Sequence, residues 1–102
     1  MSIPLHPMKM VCVTTEALAR PALELVLADC GCLGFTIIPA EGAGSQGQRI
    51  GDIPETANIL IKAIVNPKRA ELLIGRLWKE FMPRFAMVVW EEDIRVLRPD
   101  KF

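Results

Sequence analysis

Tyrosine is absent from this 102-residue chain, histidine occurs once, as His6, and cysteine three times. Each scarcity narrows the function. Without a phenol, no regulatory modification can fall on tyrosine. Three cysteines are an odd number, and Cys30 and Cys32 flank Gly31 too tightly for an ordinary disulfide framework. They fit packing in a reducing compartment better than a metal or redox site, which would need partners that one histidine in a proline-flanked tail, residues 1–7, does not supply. Net charge is missing too. Twelve Lys plus Arg balance twelve Asp plus Glu, leaving no overall field for nucleic acid or an anionic membrane. No apolar run approaches the roughly 20 residues that span a bilayer, and the start carries neither a basic segment nor an apolar signal core. The expectation is a cytoplasmic protein with no nucleic-acid partner and no membrane insertion.

What the chain does have is 51% apolar and 24% charged residues, enough for one core and too short for two, so residues 1–102 are read as a single domain. Residues 8–14 are apolar at nearly every position, as in a strand buried on both faces. A helix follows, with Leu23, Val26, Leu27 and Cys30 on one stripe, Pro21 in its first turn and Gly31 at its end. A second strand covers 33–40 and a third 56–65. Asn66-Pro67 opens a second helix, Asn as cap and Pro in the first helical position, with Ala70, Leu73, Ile74, Leu77, Trp78 and Phe81 at helical spacing. Pro83 closes it. A fourth strand spans 85–90, Glu91-Glu92-Asp93 reads as a solvated turn, and a short extended piece covers 94–97.

This order predicts an α+β, ferredoxin-like βαββαβ sandwich with both helices on one sheet face. The other face would be bare, yet the third and fourth strands carry apolar side chains on both sides. A closed, symmetric homo-oligomer is the simplest cover.

Between the second and third strands, residues 41–55 hold four of the seven glycines and show no helical or strand period. Structureless loops of that length are uncommon and tend to be functional. Gly42-Ala43-Gly44-Ser45-Gln46-Gly47 has GxGxxG spacing, but no helix follows and the domain is too short for a dinucleotide fold. What remains is that glycines let backbone N–H groups approach and cradle phosphate oxygens, or serve flexibility alone.

Gly34-Phe35-Thr36, followed by Gly42-Ala43-Gly44-Ser45-Gln46, resembles the approach to the T-loop in the PII signal-transduction family, and Gly31 falls where that family ends its first helix. The resemblance extends through Ala57-Asn58-Ile59, the second helix and the tail after the fourth strand. It is greatest to the divergent PII-like branch associated with bicarbonate transport and carboxysomes. It implies a non-catalytic homotrimer that senses an adenine nucleotide, with no covalent cofactor, and that signals to a target protein through the loop at 41–55. On the resemblance, Thr36 lies beside the adenine or ribose, and Gly42, Ala43, Gly44, Ser45 and Gln46 form the loop base with amides toward phosphates. Ile64 and Val65 line the apolar side of the base pocket or pack in the core. Arg98, of a neighbouring subunit, reaches the phosphates with a guanidinium fork suited to them. The branch also implies bicarbonate as a co-ligand.

The departures from the family pattern shape the ligand. A Gly-rich loop with a lysine for the distal phosphates is replaced by Phe81-Met82-Pro83-Arg84-Phe85, the first arginine of the C-terminal loop by Val96, and the lysine that grips 2-oxoglutarate by Asn58. Fewer cations at the distal phosphates predict AMP or ADP over ATP. Two other functions of the same fold compete. Acylphosphatase chemistry needs an arginine in a Gly-rich loop after the first strand, where this chain has Thr14-Thr15-Glu16-Ala17. A trimeric CutA-like protein would bind divalent cations instead of nucleotide.

Overall fold

The computed structural model describes residues 3–41 and 58–102. Strand β1 (His6–Glu16) leads through one 3₁₀ turn into helix α1 (Arg20–Asp29), then to β2 (Gly34–Ala40). After the undescribed stretch come β3 (Asn58–Val65), α2 (Pro67–Arg76) with a π-helical extension at Leu77–Phe81, β4 (Val88–Val96) and a final 3₁₀ turn at Pro99–Lys101. The four strands form one antiparallel sheet in the order β2-β3-β1-β4. This is the expected ferredoxin-like arrangement.

Local chemistry sets the helix ends. The Asn66 side chain accepts a 2.8 Å hydrogen bond from the Arg69 backbone N–H, and Pro67 follows it where no N–H is needed. At the end of α1, Gly31 takes φ +70°, while the N–H of Cys32 bonds to the Leu27 carbonyl and that of Gly31 to the Ala28 carbonyl. That pairing is a Schellman motif, in which a left-handed residue satisfies the last carbonyls and glycine avoids the Cβ strain. The Met82 N–H reaches back five residues to the Leu77 carbonyl, which widens the end of α2 before Pro83. Arg76 ties the helices together, bonding Glu80 one turn on and Asp29 on α1.

One face of the sheet is closed. Val11, Val13, Ile61, Ala63 and Val65 point from the sheet into Leu23, Val26, Leu27, Ala70, Leu73, Leu77 and Phe81. The alternation is strict along β3, where every second residue from Ile59 is buried.

Four expectations change. The fourth strand and the extended piece after it are a single strand, so Glu91-Glu92-Asp93 is no turn but its middle, with Asp93 and Glu91 both paired to Lys9 of β1. A charged run reads as a turn in sequence because nothing local reveals the lysine opposite it. His6 and Pro7, placed in the tail, already pair with Val96 and Arg95. The second strand starts at Gly34, one residue late. Trp78 is 70% exposed, at the margin of the buried stripe that runs Leu73, Leu77, Phe81.

Candidate functional site

Among the described residues no helix lies over the opposite sheet face. By register, one row runs straight across as Thr36–Lys62–Cys12–Trp90, flanked by Ile38–Leu60–Thr14–Val88 on one side and Gly34–Ile64–Met10–Glu92 on the other. Most of these side chains are apolar and half-buried or exposed; Ile38 is 41% and Trp90 39% exposed. Near the β4 edge the face is polar: Glu92 accepts from Trp90 Nε1 at 2.9 Å and from Cys12 Sγ at 3.7 Å. Burial, and then the Glu92 carboxylate, raise the Cys12 thiol pKa, so it stays protonated and unreactive.

Of the residues expected to hold a ligand, Thr36 and Ile64 share this face, on adjacent strands and one residue pair apart. Val65 does not join them. Its side chain is 1% exposed and packs in the core on the helix side, since consecutive strand residues point to opposite faces. Arg98 is exposed just beyond β4, at the start of the last turn, on the edge of the sheet away from Thr36. Gly42, Ala43, Gly44, Ser45 and Gln46 lie outside the described residues.

Sequence reasoning missed two features. Lys62 stands directly opposite Thr36, half-buried among apolar neighbours, and pairs with no acidic side chain among the described residues. The signal was present as the lone charge in the apolar run 59–65. The second is Phe102, whose ring lies so close over Gly34 that a Cβ there would sit 2.1 Å from its Cδ1. A groove of about 900 Å³ also runs between α2 and β4, lined by Ile74, Trp78, Met82, Val89 and Trp90, but it sits at the sheet edge opposite Thr36. Among the described residues no three His, Cys, Asp or Glu side chains gather as a metal site.

Comparison with known proteins gives a consistent picture. The family model of nitrogen regulatory protein P-II matches residues 8–101. A PII-like signalling protein from Thermus thermophilus is 35% identical, with 96% of this chain and 97% of that one covered and a TM-score of 0.84. CPII, a nitrogen regulatory PII-like protein from Thiomonas intermedia solved with ADP, AMP and bicarbonate, is 30% identical over 99% of this chain and 98% of its own, with a TM-score of 0.89. A further CPII structure, bound to ADP and bicarbonate, has the same identity and TM-score. No curated protein matches the sequence.

Proposed function

This chain belongs to the nitrogen regulatory protein P-II family, and on that premise we propose that it is an adenine-nucleotide sensor that works as a homotrimer without catalysis. The observation that carries the reading is the strip formed by Thr36, Lys62 and Ile64 on the uncovered sheet face, in a chain 30% identical to a protein solved with ADP, AMP and bicarbonate. Ile64 offers an apolar wall to the base, Thr36 a hydroxyl to base or ribose, and Lys62 an ammonium to a ligand acceptor. The phosphates are assigned by family resemblance to the loop base at Gly42, Ala43, Gly44, Ser45 and Gln46, which lies outside the described residues, and to Arg98 of the next subunit. Chain trimerisation covers the apolar open face, which a soluble monomer would leave exposed.

With no lysine-bearing loop between α2 and β4, the distal phosphates meet fewer cations, so AMP and ADP bind more tightly than ATP. Bicarbonate is the co-ligand. The ligand selects among conformations of the loop at 41–55, and the loop signals to a target protein in inorganic-carbon metabolism; this needs only differential binding, not hydrolysis. Calorimetric titration with AMP, ADP and ATP, each with and without bicarbonate, tests the reading. Saturable binding of AMP or ADP that weakens at least tenfold in Arg98→Ala and in Lys62→Met supports it. Silence from all three nucleotides, or ATP bound far more tightly than ADP, refutes it.

A further inference from the structure

Six residues, 97–102, carry the chain from the end of β4 to the start of β2, the two opposite edges of the sheet. Three interstrand steps of about 4.8 Å separate those edges, a span that six residues can cover. The tail is fastened at the far side. One 3₁₀ turn forms, with Lys101 and Phe102 N–H groups bonding to the Arg98 and Pro99 carbonyls at 3.2 Å, and Arg69 Nη1 donates to the Phe102 carbonyl at 3.3 Å. The half-buried Phe102 ring then rests on Gly34, where any side chain would collide with Cδ1 and Cε1 at 2.1 and 2.3 Å. Gly34 pairs with Ile64, and its missing side chain would project on the same face as Thr36.

We propose that Phe102 is a latch on the nucleotide site, a ring tethered in cis that competes with the purine base for the bare backbone of Gly34 beside Thr36 and Ile64. The inference rests on the nucleotide reading given above. A glycine in an edge strand offers a flat apolar patch, and a phenyl ring and a purine have the same shape requirement for it. One patch takes one occupant. A ligand must therefore displace the ring, and its apparent affinity is reduced by the fraction of molecules in which the latch is closed. Arg69, reaching from the first turn of α2, sets that fraction by holding the Phe102 carbonyl.

Titration of the full chain with AMP, in wild type, Phe102→Ala and Arg69→Gln, tests the latch. Phe102→Ala should bind AMP about three- to tenfold more tightly at unchanged stoichiometry, and Arg69→Gln more tightly by a smaller factor. In the wild type, saturating AMP should speed hydrogen exchange at the Lys101 and Phe102 amides, since displacement of the ring opens their turn. Unchanged or weaker AMP binding by Phe102→Ala, with wild type still binding, overturns the latch and leaves the nucleotide site standing, weaker binding making Phe102 a wall of the site. Silence of all three proteins toward AMP overturns the latch together with the nucleotide reading.

Discussion

The two faces of this sheet are built from the same strands, alternate residues of the same segments, and yet they have opposite characters. On the helix side, Val11, Val13, Ile61, Ala63 and Val65 are each 3% exposed or less, sealed by Leu73, Leu77 and their neighbours. On the open side the register sets Lys62, which pairs with no acidic side chain among the described residues, and Thr36 among Ile38, Leu60, Ile64 and Trp90. The first face is filled by one chain's own side chains, which makes it a matter of stability. The second carries apolar area and polar groups that no other described side chain seals, and it is the face on which the proposed binding rests. A period of two residues is enough to assign every position in β3 to one role or the other.

Two substitutions separate the roles. In Ile38→Asp an uncompensated carboxylate would be buried in the proposed trimer at a cost of about 3–5 kcal/mol per subunit, so sedimentation should show monomer in its place. Its helix-side core is untouched, and circular dichroism of the dilute variant should still show a folded chain. Leu73→Ala does the reverse. It removes a side chain 1% exposed between the helix and the sheet, and chemical denaturation should report a loss of about 2–5 kcal/mol, with assembly retained in the folded fraction. If Leu73→Ala dissociated the trimer while leaving stability unchanged, the division between faces would be wrong.

The same contrast explains how much was legible beforehand. The helix face announces itself in sequence, because burial there is settled by local period: Leu23, Val26 and Leu27 in α1, and Ala70, Leu73, Leu77 and Phe81 in α2, are each recognisable from spacing alone. Glycine and proline punctuation located Gly31 and Asn66-Pro67 for the same reason. Failures cluster where the deciding partner is distant in the chain. Lys9 turns the acidic run at 91–93 into a strand from 84 residues away in the case of Asp93, and nothing near Gly34 reveals that its neighbour is Phe102. Resemblance singled out Thr36 and Ile64, but only pairing register showed that Lys62 shares their face and that the Val65 side chain lies on the other.

Cys32 sharpens the comparison through pH. It is 3% exposed behind the α1–β2 corner, and burial first, then the neighbouring Cys30, push its thiol up to about 11 from 9.0, against a smaller opposing pull from Arg69. In the unfolded chain the thiol ionises near 9.0, while the folded protein keeps its proton until about 11. The stabilising contribution is therefore complete below pH 9 and is lost as pH rises toward 11, by up to roughly 3 kcal/mol for a shift of this size. Denaturation at pH 8 and pH 10.5 should show a steeper alkaline loss in wild type than in Cys32→Ala. Equal slopes would mean that the helix-side corner is wetter than its burial indicates.

The smallest effect concerns the point at which the two faces meet. Asn66 leaves β3 and caps α2, its side chain taking the Arg69 N–H, while Arg69 itself reaches over the sheet end to the Phe102 carbonyl. Asn66→Ala removes one capping acceptor but keeps Pro67 and the Asn66 carbonyl, which accepts from the Ala70 N–H, so the loss should be about 1 kcal/mol by denaturation. Asn66→Asp restores an acceptor and should recover most of it. Because the frayed turn is the one that carries Arg69, the alanine variant should also loosen the tail, and the Phe102 amide should exchange faster in it than in Asn66→Asp. A capping loss with unchanged exchange at Phe102 would show that the tail is held by the ring on Gly34 alone, and that the helix layer has no grip on the open face.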